Sequence, residues 1–319
     1  MKIIVTHTSP DWDAITSVWL LKKYLAGWQD ATVRFVPAGE RLKELASRVQ
    51  NTALKNPIEM MGEDEVIHVD TGLGPLDHHQ TSDDTVSAAS LTWDFVRKQI
   101  EKGGEQLTEE HTQAVSRIVN IVVEGDHFKE VFWPDAASDR YEFGLWGVLE
   151  GMKFEKQNQD DYYVDFGIQC LNALAANFEN RIWAEKEINE KGIKFATRFG
   201  PGIGFETLND TVLKLSQKMG YVLVVRKDPR KNYVRIKALP NRPSPNYQPL
   251  QPHPNPLVTG KGTSIDLTLA YEQLKKIDPE ATWFLHVSKK MLLNGSPKNP
   301  KMRPTKLSLG DIIKVLEKI

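Results

Sequence analysis

Apolar and polar positions in the first 70 residues follow two different periods. Residues 2–6 and 66–69 are short, uninterrupted apolar runs typical of buried strands, and residues 31–37 predict a further strand. Apolar residues at helical spacing predict helices over residues 14–26 and 41–49. Because strands here alternate with helices, we predict a parallel sheet that binds its ligand beyond the carboxyl ends of the strands.

The pattern becomes mainly helical after this region. Residues 87–151 and 160–199 have helical spacing, and the second stretch ends at the Gly-Pro-Gly-Ile-Gly segment 200–204. Residues 220–226 and 233–239 predict a β-hairpin. The elements predicted after the hairpin are a proline-rich loop, a helix, a strand and a final helix, at residues 240–256, 264–276, 282–287 and 308–318.

The charge of the chain also divides near the glycine-rich segment. Residues 211–319 contain 20 Lys or Arg and 7 Asp or Glu, a net charge of +13, whereas residues 1–210 carry −14. Acidic surface can hold cations and basic surface can hold phosphates, although solvated charge can also segregate without a function. We predict an α/β protein with two domains. A parallel-sheet, metal-binding catalytic domain with helical additions would cover residues 1–205, and a smaller basic α/β domain that binds substrate would cover residues 206–319.

Composition excludes several classes of protein. No apolar run reaches the roughly 20 residues that span a bilayer, so no membrane partner is expected. The apolar run near the N-terminus is too short for a signal peptide. Cys170 is the single cysteine, which excludes a disulfide framework and a multi-cysteine metal site within one chain. We expect a cytoplasmic protein, with its oligomeric state left open.

Four short motifs place His and Asp at the predicted ends of strands and helices. They are His7-Thr8-Ser9-Pro10-Asp11-Trp12-Asp13, Asp70, Asp77-His78-His79-Gln80 and Glu124-Gly125-Asp126-His127. Carboxylates and imidazoles together suit a divalent cation. Three of the motifs also have a purely structural explanation, because Asp13 can cap a helix, Asp70 can form a turn and Gly-Asp can end a helix. The His78-His79 pair flanked by Asp and Gln is much harder to explain as packing.

In this order the motifs resemble the signatures of the DHH phosphoesterase superfamily, an α/β family that includes RecJ-type nucleases and manganese pyrophosphatases. The Asp-His-His-Gln form is most similar to one branch, the melanocyte-proliferating-gene family of DHH-like 3′–5′ RNA exonucleases. The tail Trp283-Phe284-Leu285-His286-Val287-Ser288, followed by Asn294-Gly295, resembles the same branch.

The resemblance implies two bound divalent cations, usually Mn²⁺, with Mg²⁺ as the alternative. The ligands that it implies are His7, Asp11 and Asp70 for one ion and Asp13, Asp70, His78 and Asp126 for the other. His79 would face the substrate phosphate, and Asp77 would orient a ligand histidine. His79, Asp77 and Asp11 are therefore the expected catalytic residues.

The basic half supplies candidate phosphate contacts. Arg230, Lys231 and Arg235 lie in or beside the predicted hairpin. Lys261 lies in a Thr-Gly-Lys-Gly-Thr-Ser segment before a helix, where backbone N–H groups can cradle a phosphate. By resemblance, His286 is a loose counterpart of the histidine in the glycine-rich loop of the usual DHH-associated domain.

These features predict metal-dependent phosphodiester hydrolysis, most simply by a 3′–5′ exonuclease on single-stranded RNA or short oligonucleotides. One alternative is a phosphatase or phosphodiesterase that acts on a small phosphorylated metabolite or nucleotide. An alternative of another class is a nucleotide-binding sensor that has the metal ligands but no catalytic activity.

Overall fold

The protein is described from a computed structural model that covers residues 1–48, 56–241, 264–296 and 298–319. The chain forms two compact units, Met1–Glu179 and Asn180–Ile319, which we call unit one and unit two. Most of the predicted proline-rich loop, together with Lys261, lies outside the described residues.

Unit one is built on a four-stranded sheet in the order β2-β1-β4-β3. Its strands are β1 (Lys2–His7), β2 (Thr32–Val36), β3 (Ile58–Met61) and β4 (Asp64–His68). Strand β1 pairs in parallel with both β2 and β4, which confirms the predicted parallel arrangement for these three strands. Strand β3 was not predicted, and it pairs antiparallel with β4 at one edge of the sheet.

Six α-helices begin in unit one among the described residues, and the last of them continues past Glu179 into unit two. They are α1 (Trp12–Tyr24), α2 (Ala88–Lys102), α3 (Glu109–Asp126), α4 (Asp139–Glu142), α5 (Leu145–Glu155) and α6 (Asp160–Lys186). The predicted helix over residues 41–49 is instead a short 3₁₀ helix, Lys43–Arg48. None of the described helices combines the length and the hydrophobicity that crossing a membrane requires.

Both faces of the sheet are covered, which explains the uninterrupted apolar run of β1. Ile4 packs into the main core with residues of the surrounding helices, such as Trp19. Ile3 and Val5 point into a smaller core on the other face, beside Leu45 of the 3₁₀ helix. A parallel strand buried on both faces needs apolar side chains at every position. Helix α1 is correspondingly buried at each residue from Trp12 to Leu21.

Unit two is built on a six-stranded sheet in the order β5-β6-β7-β8-β10-β9. Its strands are β5 (Ile193–Thr197), β6 (Gly200–Glu206), β7 (Leu223–Lys227), β8 (Val234–Ala238), β9 (Trp283–Leu285) and β10 (Met291–Asn294). Its helices are α7 (Thr211–Lys218), α8 (Thr268–Ile277) and α9 (Leu309–Leu316). Strands β7 and β8 form the predicted antiparallel hairpin, with Val225 opposite Ile236.

The predicted helix over residues 160–199 is wrong at its end, because residues 193–206 form strands β5 and β6. The glycines of β6 allow other side chains to pack against the strand. A Cβ on Gly202 would lie 2.3 Å from the ring of Phe195, and one on Gly204 would lie 2.9 Å from Ile313. The sequence predicted only that a helix ends at this segment, because glycine and proline break helices, whereas here the glycines make room for neighbouring side chains.

The division between the two units lies about 30 residues before the point in the chain where the net charge changes sign. The expected boundary after residue 205 falls at the end of β6, yet β6 hydrogen-bonds to β5 on one side and to β7 on the other. These strands must fold together, so packing places the division between Glu179 and Asn180. The net charge of a segment depends on its surface side chains, and it does not show which strands hydrogen-bond to one another.

Helix α6 approaches α1 through Gly167, which gives a test of this packing. A Cβ on Gly167 would lie 2.4 Å from Cγ2 of the fully buried Ile15. We expect Gly167→Ala to lower the free energy of unfolding by about 1–3 kcal/mol, because overpacking a core forces side chains to shift. The matched control is Gly151→Ala in α5, where a Cβ meets nothing within 4 Å.

Helix propensity alone predicts that Gly151→Ala raises the free energy of unfolding by up to about 1 kcal/mol. Urea unfolding of both variants measures the difference. Equal stability of the two variants would contradict the close approach of α6 to α1.

Candidate metal centre

The candidate ligands meet where β1 and β4 end. His7 is the last residue of β1, and Asp70 follows β4 after one further residue. Because β1 and β4 are parallel neighbours, their carboxyl ends lie at the same edge of the sheet. Asp11 begins α1 at this edge, where its Oδ1 accepts hydrogen bonds from the backbone N–H groups of Asp13 at 2.9 Å and Ala14 at 3.1 Å.

His7, Asp11 and Asp70 form the first group of ligand atoms. His7 Nε2 lies 3.1 Å from Asp70 Oδ2 and 3.9 Å from Asp11 Oδ2. The other ring nitrogen, Nδ1, lies 2.9 Å from the carbonyl oxygen of Thr8. A carbonyl can only accept, so Nδ1 carries a proton and Nε2 is the nitrogen available to a metal.

His78 is the centre of the second group. Its Nδ1 lies 3.6 Å from Asp13 Oδ2 and 3.7 Å from Asp70 Oδ1. Its Nε2 lies 3.0 Å from Asp126 Oδ2 at the end of α3. The geometry thus brings all six predicted ligands to one place. Whether each of them binds a metal ion stays a prediction.

Asp13 has a structural role as well, because its carboxylate caps α2 and not its own helix. Asp13 Oδ1 accepts from Ser87 Oγ at 2.7 Å and from the N–H of Ala89 at 2.8 Å. Asp13 Oδ2 accepts from the N–H of Ala88 at 2.8 Å. The partial positive charge of a helix N-terminus favours a carboxylate here. The capping role that the sequence left open for Asp13 in its own helix belongs to Asp11, whereas Asp13 caps a helix 75 residues away in the chain.

Asp77 holds His79 and not the ligand candidate His78. Asp77 Oδ1 lies 2.7 Å from His79 Nδ1 and accepts from the N–H of His79 at 3.0 Å. Asp77 Oδ2 accepts from the N–H of Leu73 at 2.7 Å. The side chain of His79 is 58% exposed, against 10% for His78. His79 is therefore oriented by Asp77 and accessible to a ligand.

Sequence reasoning missed a buried network behind Asp70. Arg41 forms an ion pair with Glu59, and its Nη1 donates to the carbonyl of Gly72 at 3.0 Å. His68 Nδ1 lies 3.3 Å from Glu59 Oε1, and His68 Nε2 accepts from the N–H of Leu42 at 3.2 Å. The network fixes the chain on both sides of Asp70, which has the left-handed φ of 53° that Asp tolerates.

His127 was also not assigned as a ligand, although it ends the fourth motif. Its Nε2 lies 3.8 Å from Asp126 Oδ2 and 2.8 Å from the carbonyl oxygen of Val86. Its ring lies 5.6 Å from the ring of His78, in an edge-on arrangement. His78, Asp126 and His127 together offer three ligand atoms that lie within 4.8 Å of one another.

The charges of the site strongly perturb its titration. Burial raises the pKa of Asp13 well above its usual range, and the negative charges of Asp70 and Asp126 raise it further. Burial also raises the pKa of Asp70, although the hydrogen bond to His7 opposes this. The hydrogen bond to Asp126 raises the pKa of His78 to about 9 despite partial burial.

His7 behaves in the same way. Burial lowers its pKa, but the bonds to Asp70 and Thr8 and the charge of Asp11 together raise it to about 9. The folded pKa of each histidine exceeds the usual 6.5, so these pairs stabilise the metal-free fold below pH 6.5 and lose that effect as the pH rises to about 9. A cation that takes the place of the protons must release them, so metal affinity rises with pH.

The residues present fit a divalent cation. Asp70 Oδ1 and His78 Nδ1 are buried, and neither has a hydrogen-bond partner among the described residues. Buried polar atoms normally have partners, so two unpartnered ligand atoms that lie 3.7 Å apart indicate a site for an ion. Mixed carboxylate and imidazole donors suit a transition metal such as Mn²⁺, whereas Mg²⁺ prefers oxygen donors alone.

Unit two contains a separate basic cavity of about 480 Å³. Its lining brings together the predicted phosphate contacts Arg230, Lys231 and Arg235. The buried Arg226 also lines it, and Asp210 forms ion pairs with both Arg226 and Arg235. His286 does not belong to this lining; its Nδ1 lies 2.8 Å from Ser288 Oγ.

Comparison with known proteins does not establish a family or a function for this chain. No protein-family model matches the chain, and neither does any curated protein. Among solved structures, the chain is similar to an uncharacterized protein from Helicobacter pylori G27, at 11% identity and a TM-score of 0.23 over 99% of this chain and 98% of that one. It is also similar to RecJ in complex with Mg²⁺ from Thermus thermophilus, at 11% identity and a TM-score of 0.28.

The second match covers 99% of this chain and 49% of the RecJ chain, so this protein spans about half the length of that RecJ. TM-scores this low assign neither a fold nor an activity. The functional conclusions therefore depend on the site itself.

Replacing Asp70 by Asn tests whether the site is built for a cation. Asn adopts the left-handed backbone as readily as Asp, and the change removes a buried charge whose pKa is raised. We expect metal-free Asp70→Asn to unfold at the wild-type temperature or above it. Mn²⁺ should raise the unfolding temperature of the wild type and leave that of the variant unchanged, as measured by calorimetry.

The control for this experiment is Asp94→Asn, which removes an exposed carboxylate of α2 and should keep the full response to Mn²⁺. The metal site would be disproved if Mn²⁺ did not change the unfolding temperature of the wild type. It would also be disproved if Mn²⁺ raised the unfolding temperature of Asp70→Asn.

His78 and His79 should divide their tasks, and a pair of alanine variants tests this. His78→Ala removes a buried ligand candidate, so it should weaken Mn²⁺ binding. His79→Ala removes an exposed ring held by Asp77, so it should keep the Mn²⁺ affinity of the wild type and lower the rate of the phosphodiester hydrolysis that the sequence predicts by about 10²–10⁴-fold. Calorimetric titration with Mn²⁺ and a rate assay measure the two effects, and equal loss of Mn²⁺ affinity in both variants would refute the division.

Proposed function

We propose that this chain is a metal-dependent phosphoesterase of the DHH type that hydrolyses phosphodiesters. The observation that supports this is the position of Asp70 in two groups of close ligand atoms. One group is formed with His7 and Asp11. The other contains His78, whose Nδ1 lies 3.7 Å from Asp70 Oδ1 and 3.6 Å from Asp13 Oδ2. A carboxylate shared by two such groups is what a bridged pair of cations requires. Mn²⁺ is our preferred metal because imidazoles take part in both groups.

Two bound divalent cations would supply a water of lowered pKa and would neutralise charge on the attacking and leaving oxygens of an in-line displacement. His7, Asp11, Asp13, Asp70, His78 and Asp126 are the residues that would hold them. Asp13 and Asp70 are buried and their pKa values are raised, so their ionised forms are favoured when positive charge is bound beside them.

His79 is the residue that would act on the substrate. Asp77 accepts a hydrogen bond from His79 Nδ1, so this nitrogen carries a proton and Nε2 is free. A carboxylate behind the ring fixes its orientation and tautomer, as in other His–Asp pairs. His79 Nε2 is then the ring nitrogen that can exchange a proton with the substrate or with an attacking water.

A polynucleotide is our proposed substrate class, as single-stranded RNA or short oligonucleotides shortened from the 3′ end. The basic cavity of unit two supports this, because four cationic side chains line it and Asp210 neutralises only part of their charge. The backbone N–H groups of Arg230 and Lys231 bind Asp228 Oδ1, at 2.8 and 2.9 Å. This turn is thereby fixed with two cationic side chains at the cavity.

The proposal is tested by hydrolysis of bis(p-nitrophenyl) phosphate and of an oligoribonucleotide labelled at its 5′ end, with Mn²⁺ added. A 3′–5′ exonuclease shortens the labelled strand one nucleotide at a time. Hydrolysis of small phosphoesters without oligonucleotide cleavage would favour the small-molecule phosphoesterase. Metal and nucleotide binding without turnover of any phosphoester would favour the sensor.

The salt dependence of binding measures how many phosphates the protein contacts. For three to five contacts to a single strand, the slope of log K against log salt should be about −2 to −3.5. The double variant Arg230→Ala/Lys231→Ala should weaken oligonucleotide binding and make this slope shallower by about 1.4, because two contacts are lost, while the metal content stays unchanged. Anisotropy titrations with Ca²⁺ in place of Mn²⁺ give the slope without rapid turnover.

The matched control is Lys275→Ala/Lys276→Ala on α8, an adjacent cationic pair that does not line the cavity. This control variant also removes two positive charges, and it should change the slope less than Arg230→Ala/Lys231→Ala does. A flat salt response of the wild type, or equal effects of the two double variants, would favour a small phosphorylated substrate.

A further inference from the structure

Unit one contains a second cavity, of about 530 Å³, that the proposed chemistry does not use. Its lining comes from α3, α5, α6, the segment between α3 and α5, and the first residue of α1. Five of the lining residues have large aromatic side chains, Trp12, Trp133, Tyr141, Trp146 and Phe178, and the first four of them contact one another. We call it the tryptophan cavity.

The four aromatic rings form a continuous wall. The ring centroids of Trp12 and Trp146 are 6.2 Å apart at an angle of 50°. Trp146 meets Trp133 edge-on at 6.2 Å, and Trp133 lies 5.5 Å from Tyr141. Aromatic walls of this kind offer stacking faces to a planar ligand.

Two polar atoms of the lining residues lack hydrogen-bond partners. Trp12 is only 6% exposed, and its Nε1 has no partner among the described residues. Glu130 Oε2 is likewise buried and unpartnered within the described part of the chain. An indole N–H can only donate, and a carboxylate oxygen accepts. The lining residues therefore offer one unused donor and one unused acceptor.

The tryptophan cavity adjoins the candidate metal centre through two chain segments. Trp12 lies between the ligand candidates Asp11 and Asp13. Trp146 packs against Gly125, which precedes Asp126, so closely that a Cβ on Gly125 would lie 2.8 Å from the indole ring. A ligand in the cavity would thus be bound by the neighbours of the residues that hold the metal.

We propose that the tryptophan cavity binds a nucleobase of the substrate, an inference that rests on the proposed phosphodiester hydrolysis. A base is planar and stacks on indole and phenol rings. Its edge carries an acceptor, a ring nitrogen or carbonyl oxygen that suits Trp12 Nε1. The amino group of adenine or cytosine is a donor that suits Glu130 Oε2.

An acyl chain or other purely apolar ligand fits the same volume less well. It would leave Trp12 Nε1 and Glu130 Oε2 buried and unpaired, which is unfavourable for both atoms. A phosphate also fits poorly, because carboxylates line the cavity and Arg140 of the lining forms an ion pair with Asp135. The combination of stacking faces, one donor and one acceptor favours a base.

Nucleoside binding to the metal-free, full-length protein tests the cavity independently of hydrolysis. Calorimetric titration in EDTA should show saturable binding of adenosine or cytidine and none of ribose 5-phosphate. Trp133→Leu should weaken this binding by about tenfold or more, because one stacking surface is lost. Glu130→Leu, a second variant, should weaken it as well. The matched control is Phe132→Leu, which changes an aromatic ring that is 85% exposed and does not line the cavity.

The outcomes separate this inference from the proposed function. If the wild type binds nucleosides in EDTA but hydrolyses no phosphoester with Mn²⁺, the cavity assignment holds and the enzyme assignment fails. If the wild type hydrolyses phosphodiesters but binds no nucleoside, the cavity assignment is wrong. Binding of toluene without binding of nucleosides, or nucleoside affinity unchanged in both the Trp133→Leu and Glu130→Leu variants, would also overturn it.

Discussion

Like charges held together out of water are the constraint on which unit one depends. Asp13, Asp70 and Asp126 surround His78, and two of these carboxylates are almost completely buried. Their repulsion in a poorly polarisable interior would push the segments apart unless positive charge compensated it. The N-terminus of α2 lies against Asp13, His7 lies against Asp70, and the proposed cations would supply the rest. The requirement links α1, α2 and α3, because α1 carries Asp13, the N-terminus of α2 faces it and α3 ends at Asp126.

The sequence predicted the sheet edge well because local signals and topology agree there. The apolar runs of β1 and β4 are buried on both faces, and their ends carry His7 and Asp70. The edge strand β3 was not predicted, since residues 58–61 have no clear period, and the Arg41–Glu59–His68 network depends on it. Contacts between residues 18 and 26 positions apart leave no local pattern. The change in charge lies later in the chain than the division between the compact units for a related reason, because strand pairing and not charge joins β5 and β6 to unit two.

In unit two, the sequence predicted where cations cluster but not how they pair. Arg226 and Arg235 share Asp210, so part of the positive charge counted along the chain is neutralised within the fold. Arg226 is also buried, and burial lowers its pKa while Asp210 opposes that effect. Arg230 and Lys231 owe their place to backbone bonds with Asp228. A net charge therefore overstates the field that a phosphate would meet in this cavity.

The two roles of Asp13 have a consequence for how sequences related to this one can diverge. Its carboxylate caps α2 and faces His78, so a change at this position disturbs folding and the site together. Natural selection cannot separate the two demands, and an invariant Asp at this position would say nothing about activity. His79 is different, because its exposed ring is held by Asp77 alone among the described hydrogen bonds. Variation at His79 in related sequences would therefore report on its proposed catalytic role without the confounding demand of stability.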